Sequence, residues 1–337
     1  MNEKVINIGL FGYGYWGPNL VRNFINVGAN VKYIADISSH RLSIAKSLYP
    51  AITTTLNSDD IFNDNSIDAV VIALPVSLHY EIAKKALNAG KHVLVEKPMT
   101  DSVDTSEELI ELAQRKKKIL MCDHTFLYTG AVKKIKQLIN EKQLGNLQYF
   151  DSVRINLGLF QSDVNVIWDL APHDISILSY LYNDKPCGVT ATGISHMNNN
   201  IENLAYLTIY YNSGFIAHVN VSWISPVKIR KILIGGEQRM IVYDDIEPTE
   251  KVKIYDSGYK MISYEEQNKY KMDYRTGDIL IPKLETTEAL KGMAEDFIKA
   301  IVNSSIPISN AELGLNIVKI LNASEKSIKN NGRYIEL

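Results

Sequence analysis

The chain is predicted to fold as a doubly wound parallel α/β domain followed by an α+β domain built on a large, mainly antiparallel open sheet. Strand-length apolar runs alternate with helical patterns over the first third, β-rich segments crowd between Asn146 and Tyr264, and helical periodicity returns over 286–303 and 311–328. Alternation of strand and helix marks a parallel sheet covered on both faces, whereas successive short strands joined by turns mark an antiparallel one. At 337 residues the chain exceeds the size at which one core stops growing. Two domains are therefore expected, 1–123 and 124–337, with the C-terminal helices as candidates to pack back on the first.

The first cycle is the most informative. Val5-Ile6-Asn7-Ile8-Gly9-Leu10-Phe11 reads as a strand, Gly12-Tyr13-Gly14-Tyr15-Trp16-Gly17 as a glycine turn, the following run as a helix, and Val31-Lys32-Tyr33-Ile34-Ala35-Asp36 as a second strand ending in a carboxylate. Gly12 permits the tight turn, Gly14 lets the backbone approach a pyrophosphate, and Gly17 allows close packing at a positive helix terminus. Strand, glycine turn, helix and an acidic residue in this order predict a Rossmann dinucleotide site, with Asp36 on the ribose diol and Tyr15 and Trp16 flanking the ligand. A carboxylate there accepts from both ribose hydroxyls and repels a 2′-phosphate, so NAD is expected over NADP. Arg41 and Ser38, just beyond, leave a partner for a 2′-phosphate open, and NADP stays the lesser expectation.

Later cycles repeat the pattern. Ala69-Val70-Val71-Ile72-Ala73-Leu74 is a continuous apolar run, as a strand covered on both faces requires, and it stops at Pro75. Helix 78–88 ends at Gly90, His92-Val93-Leu94-Val95 is the next strand, and an amphipathic helix over 103–116 runs into Arg115-Lys116-Lys117-Lys118 before the strand Ile119–Cys122. Cations in a last turn complement the helix dipole, so the basic run reads as capping and solvated surface. Residues 130–142 read as helix. Beyond them, segments 147–157, 187–195, 204–211, 215–223, 229–235 and 239–243 predict a sheet of about six antiparallel strands, interrupted by one helix beginning near Pro172. Residues 247–284 show no clear pattern.

Composition removes several function classes. A formal net charge of −2 gives no electrostatic basis for binding nucleic acid or an anionic membrane. Only Cys122 and Cys187 are present, which argues against a disulfide scaffold and a cysteine-rich metal site, and no metal is expected. No apolar run approaches a membrane span, and Met1-Asn2-Glu3-Lys4 leads directly into the first strand, so a cytoplasmic location is expected.

Ligands of open α/β sheets bind beyond the carboxyl ends of the strands. Leu74, Pro75 and His79 follow one strand and Glu96-Lys97-Pro98 follows the next; Leu74, Pro75, His79, Glu96 and Lys97 join the cofactor-binding set, with a structural role the favoured reading for His79. His124 and Tyr128 follow the last strand of the first domain, Arg154 and Asn156 lie on the first β-segment of the second, and Trp168-Asp169-Leu170-Ala171-Pro172-His173-Asp174 opens the interrupting helix.

The glycine turn, Asp36, Glu96-Lys97-Pro98, and Asp169 four residues ahead of His173 together resemble the glucose–fructose oxidoreductase, inositol dehydrogenase and rhizopine catabolism (Gfo/Idh/MocA) family of sugar dehydrogenases. The resemblance covers nearly the whole chain. Arg154-Ile155-Asn156-Leu157-Gly158 leading to Trp168–Asp174 looks like the branch acting on nucleotide-linked sugars, including UDP-N-acetylglucosamine 3-dehydrogenases. Oxidising a secondary alcohol needs a base for the hydroxyl proton, and an imidazole serves at neutral pH, which makes His173 the candidate. Asp169 would fix its tautomer or contact a neighbouring hydroxyl. Lys97 would stabilise charge on the reacting oxygen; in the family such a lysine sometimes acts as the base, so the division between Lys97 and His173 stays open. His124, Tyr128, Arg154, Asn156 and Trp168 are candidate substrate contacts.

The resemblance implies an NAD-dependent oxidation of a ring hydroxyl, C3 first, of a sugar nucleotide such as UDP-N-acetylglucosamine. Inositol or free-sugar oxidation, an NAD-recycling glycoside hydrolase and a noncatalytic NAD-binding regulator are the alternatives; retention of Lys97, Asp169 and His173 counts against the last. Apolar and aromatic residues along 206–211 and 218–223 lead us to expect a homodimer or homotetramer formed through the C-terminal sheet.

Overall fold

The computed structural model describes residues 5–158, 160, 161, 164–197, 201–265 and 269–337. Met1–Lys4, expected to lead into the first strand, lie outside them. In chain order the elements are β1 (Asn7–Phe11), α1 (Gly17–Asn26), β2 (Asn30–Ala35), α2 (Ser39–Leu48), β3 (Thr53–Thr55), α3 (Asp59–Asn63), β4 (Ala69–Ile72), α4 (His79–Asn88), β5 (His92–Glu96), α5 (Val103–Lys116) and β6 (Leu120–Asp123). There follow α6 (Gly130–Asn140), β7 (Leu147–Leu157), α7 (Val166–Leu181), β8 (Pro186–Ile194), β9 (Leu204–Tyr211), β10 (Ile216–Ser222), β11 (Ile224–Gly236), β12 (Met240–Asp244), β13 (Val252–Tyr255), β14 (Gly258–Glu265), β15 (Lys269–Arg275), β16 (Ile279–Leu280), α8 (Ala289–Asn303), α9 (Ala311–Lys329) and β17 (Ile335–Glu336). They divide into two units, Met1–Thr129 with Thr287–Lys319, and Gly130–Thr286 with Ile320–Leu337.

The first unit holds a six-stranded sheet in the order β3-β2-β1-β4-β5-β6, with every recorded pairing parallel. The chain moves outward from β1 to β3 and then crosses back to β4, so the order reverses between β1 and β4, where ligands of such sheets bind. Ala69, Val70, Val71 and Ile72 are each at most 1% exposed, as a continuous apolar strand between two helical layers requires. Each of the three larger side chains contributes about 1.5–3 kcal/mol by burial. Side chains start the helices: Ser38 Oγ accepts from Arg41 N at 3.4 Å and Ser102 Oγ from Thr105 N at 3.2 Å.

This unit runs past the expected junction at 123/124 because Tyr128 is tied into it. The Tyr128 hydroxyl donates to Asp296 Oδ2 on α8 at 2.7 Å and accepts from Ser309 N at 3.2 Å. Ser309 Oγ donates to Cys122 O, and Asn310 bridges Met121 at the β6 edge. The returning segment is thus stitched to the last strand by backbone and hydroxyl groups.

The second unit holds nine strands in the order β16-β13-β12-β11-β7-β10-β9-β8-β17, more than the six expected. β13, β16 and β17 are only two to four residues long and carry too little alternation to be seen as strands. β7 and β10 pair in parallel, an exception in an otherwise antiparallel sheet. β14 and β15 form a separate hairpin within the segment that showed no pattern. The interrupting helix also departs from expectation: α7 begins at Val166, not near Pro172. Asn165 caps it, its Oδ1 accepting from Ile167 N and Trp168 N at 3.1 and 3.2 Å, and Pro172 lies in the second turn. Proline there removes only the donor that would reach the Trp168 carbonyl, and burial of the rest of the helix outweighs that loss. No helix among the described residues is long and apolar enough to cross a membrane.

Candidate active site

In the first unit the glycine turn does what its spacing predicts, with one refinement. Gly12 takes φ +92°, and a Cβ there would stand 2.2 Å from Ala73 O. A Cβ on Gly17 would stand 2.5 Å from Gly12 O, so this glycine closes the turn upon itself. Gly14 differs: within 4 Å its Cβ would meet only the Arg41 guanidinium, at 3.8 Å, which leaves bare backbone facing open space. α1 starts here with no side-chain cap and no acidic residue in its first turn, so its amino-terminal N–H groups suit an anion. Tyr15 and Trp16 stack edge-on at 5.2 Å on the turn and are 83% and 43% exposed.

Asp36 is buried at the end of β2. Its Oδ2 accepts from Tyr13 N at 2.7 Å and its Oδ1 from Ser38 N at 2.8 Å, so two backbone donors aim the carboxylate. Each carboxylate oxygen has a second lone pair for a ribose hydroxyl. Arg41 Nη1 stands 3.6 Å from Asp36 Oδ2. Bare Gly14 backbone, the open α1 terminus and the aimed Asp36 carboxylate together fit a dinucleotide.

At the neighbouring strand ends, Leu74 lies beside Gly12 and Pro75 is exposed. His79 takes the structural role. Its buried ring lies between the carbonyls of Pro98 and Leu74, at 2.9 and 2.8 Å, and burial holds its pKa below the ordinary value, so the neutral ring donates to one of them. It braces the segment that carries Lys97, whose peptide bond to Pro98 is cis. Glu96 pairs across the sheet with Asp123 and accepts from Lys97 N at 3.3 Å. Burial pushes the Glu96 carboxyl well above its usual range and the Asp123 charge adds to that. Thr125 donates to Asp123 Oδ1 at 2.6 Å, which favours the ionised form, while burial raises the Asp123 carboxyl to about 6. His124 is 1% exposed, neither ring nitrogen has a partner among the described residues, and burial, with the Lys97 charge adding, pushes its pKa down to about 3.

In the second unit α7 is buried along most of its length, but Asp169, Leu170 and His173 are only half-buried. The carboxylate and the imidazole therefore stand one turn apart on the partly open stripe of an apolar helix. Trp223 Nε1 donates to Asp169 Oδ2 at 3.0 Å, and Ser176 Oγ donates to His173 O at 2.7 Å.

Three expected substrate contacts are buried and bonded within the protein, which counts against that role. Arg154 is 3% exposed and makes a two-pronged bond to Asp174, Nε to Oδ2 at 2.9 Å and Nη2 to Oδ1 at 2.8 Å. A guanidinium between apolar layers needs such a partner, and Asp174, adjacent to His173, supplies it. Trp168 is 6% exposed, with Nε1 donating to Glu325 Oε2 on α9 at 3.2 Å. Tyr128 is 2% exposed and joined to Asp296. Asn156 stays half-buried on β7, two residues beyond Arg154. Trp223, Asp174 and Asp123 were not singled out in the sequence, and an acid directly beside a candidate histidine, Asp123 before His124 and Asp174 after His173, was the available signal for two of them.

A parallel sheet with a glycine turn and an aimed carboxylate marks a dinucleotide-binding domain. Residues 6–124 match the model of an oxidoreductase family with an NAD-binding Rossmann fold, and residues 132–242 match the GFO/IDH/MocA C-terminal domain. The chain belongs to the Gfo/Idh/MocA family of oxidoreductases. It is 33% identical over 180 residues to the uncharacterized oxidoreductase YdgJ of Escherichia coli, a match spanning 50% of this chain and 51% of YdgJ. It is 25% identical over 347 residues to scyllo-inositol 2-dehydrogenase (NADP(+)) IolW of Bacillus subtilis, covering 96% of this chain and 94% of IolW. It is 28% identical over 193 residues to UDP-N-acetylglucosamine 3-dehydrogenase of Acidithiobacillus ferrooxidans, covering 57% and 59%. The solved structure of that enzyme, GnnA, superposes with a TM-score of 0.80 at 21% identity over 97% of this chain and 98% of GnnA. GenD2 from gentamicin A biosynthesis, solved with NAD, does so with 0.83 at 18% identity over 99% and 97%. At these identities the superpositions show the fold.

Proposed function

We propose that the protein is an NAD-dependent dehydrogenase oxidising a ring hydroxyl, C3 first, of a nucleotide-linked sugar such as UDP-N-acetylglucosamine. The observation that carries the reading is the open stripe of α7, where a carboxylate and an imidazole stand one turn apart in a chain whose other unit is an NAD-binding domain. Similarity to a UDP-N-acetylglucosamine 3-dehydrogenase supports the sugar nucleotide. Bound NAD supplies the hydride acceptor. Gly14 and the start of α1 hold the pyrophosphate, and Asp36 takes the ribose hydroxyls. Lys97 donates to the reacting oxygen and lowers the hydroxyl pKa, His173 receives the proton, and Asp169 orders the imidazole or an adjacent hydroxyl.

Purified protein with NAD and UDP-N-acetylglucosamine is expected to yield the 3-keto sugar by mass spectrometry, or the 3-amino sugar when an aminotransferase and L-glutamate are added to consume the ketone. Lys97→Ala should cut turnover about 10²–10³-fold while NAD affinity stays unchanged, the pattern of a group acting in the transition state. Full activity in this variant removes Lys97 from the reaction. A polyol is the second reading, favoured by the match to IolW along nearly the whole chain; oxidation of scyllo-inositol with inert sugar nucleotides would select it. Association of two or four copies through the second unit's sheet belongs to the same proposal. Tyr206 and Ile216, both 42% exposed, support it, and a monomeric mass by light scattering would reject it.

A further inference from the structure

Trp223, at the junction of β10 and β11, is only 1% exposed and is held from several sides. Its N–H donates to Asn203 O at 2.9 Å, its carbonyl accepts from Gly158 N at 3.0 Å, and the Phe160 ring lies 5.6 Å away at 63°. A Cβ on Gly158 would stand 2.7 Å from Trp223 Cδ1, so glycine leaves the indole its place. From this seat Nε1 donates to Asp169 Oδ2 at 3.0 Å.

We propose that Trp223 is a positioning residue, whose indole N–H fixes the Asp169 carboxylate in the orientation that sugar oxidation uses. The proposal rests on the reading of Asp169 as a site residue. An indole has one donor, no acceptor and no charge. It locks the carboxylate rotamer without neutralising it, as an arginine or lysine would. Such a lock matters at this point of α7 because Pro172, between Asp169 and His173, deprives the Trp168 carbonyl of its usual helix donor. Side-chain anchors on either side compensate: Trp168 Nε1 to Glu325, and Arg154 to Asp174. Trp223 reaches a carboxylate on the open stripe itself.

Trp223→Phe keeps the ring and deletes the donor. Assayed on whichever of UDP-N-acetylglucosamine and scyllo-inositol the wild type oxidises, it is expected to lower kcat about tenfold or more, since small misplacement of a catalytic group has effects of that size, with KM for NAD unchanged and the pH profile shifted. In an Asp169→Asn background the same change should add less than a further twofold. Full kcat and an unshifted profile in Trp223→Phe, with Asp169→Asn inactive, overturns the positioning role and leaves the function standing. Full turnover in Asp169→Asn removes Asp169 from the site and the role of Trp223 with it. A measurement without substrate covers the remaining case. The chain has three tryptophans, Trp223→Phe identifies its indole resonance by deletion, and Asp169→Ala should move that resonance most; an unmoved signal overturns the contact whether or not turnover is seen.

Discussion

In the first unit the groups proposed to meet the dinucleotide are set by backbone, whereas in the second the groups proposed to meet a sugar are set by side chains drawn from far along the chain. Asp36 is aimed by N–H groups of Tyr13 and Ser38, and the turn is shaped by Gly12 and Gly17. Asp169 is held by an indole 54 residues away, and the helix that carries it is tied through Trp168 to Glu325, 157 residues away. Backbone recognition is compact in sequence because neighbouring peptides supply it. Side-chain recognition needs a finished tertiary fold, so damage to packing should reach the α7 groups first.

The buried Arg154–Asp174 pair gives the largest expected effect. Both side chains are 3% exposed or less, so Arg154→Met leaves a carboxylate uncompensated and should cost about 3–5 kcal/mol in urea unfolding. Arg154→Met with Asp174→Leu removes both charges and should recover most of that loss, because well-packed apolar replacements of buried pairs are often neutral. A single variant as stable as the wild type would mean that α7 does not depend on this bond, and the contrast between the units would fail.

The same contrast explains what could be read in the sequence. The order strand, glycine turn, helix and Asp36 was legible because each residue acts through local backbone geometry, whereas Lys97, Asp169 and His173 became candidates through their place at strand and helix ends and through the family resemblance. The fates of Arg154, Trp168 and Tyr128 were not. Each carries a group able to bind a sugar, and only the positions of Asp174, Glu325 and Asp296 decide that it is occupied internally. β13, β16 and β17 escaped because strands of two to four residues are defined by their partners and not by alternation.

Asp36 sharpens the backbone side of the comparison. Hydrogen bonds to a charged group contribute about 1.5–3 kcal/mol, so Asp36→Ala should weaken NAD roughly tenfold or more in a fluorescence titration. Preference for NAD over NADP should narrow further. Removing the carboxylate ends its repulsion of a 2′-phosphate and leaves Arg41, now 3.6 Å from Oδ2, to meet one. A preference unchanged in this variant would show that the discrimination lies elsewhere in the turn.

His124 tests a place in the first unit where both ring nitrogens of a buried side chain have no partner among the described residues. The buried ring has a pKa of about 3 against an ordinary 6.5, so the folded chain keeps it neutral while the unfolded chain takes up a proton below 6.5. The associated stability is therefore complete above pH 6.5 and is lost as pH falls toward 3. Between pH 6.5 and 5 the loss amounts to about 2 kcal/mol at most, at about 1.4 kcal/mol per pH unit. Glu96 and Asp123, both raised, shift stability in the opposite sense but do so in wild type and variant alike. His124→Leu should therefore gain on the wild type by up to that amount when urea unfolding is repeated at pH 5 and 7.5. Parallel losses in the two proteins would mean that the ring accepts its proton in the folded state, and the strand end that carries it would then be open to solvent or to a partner group.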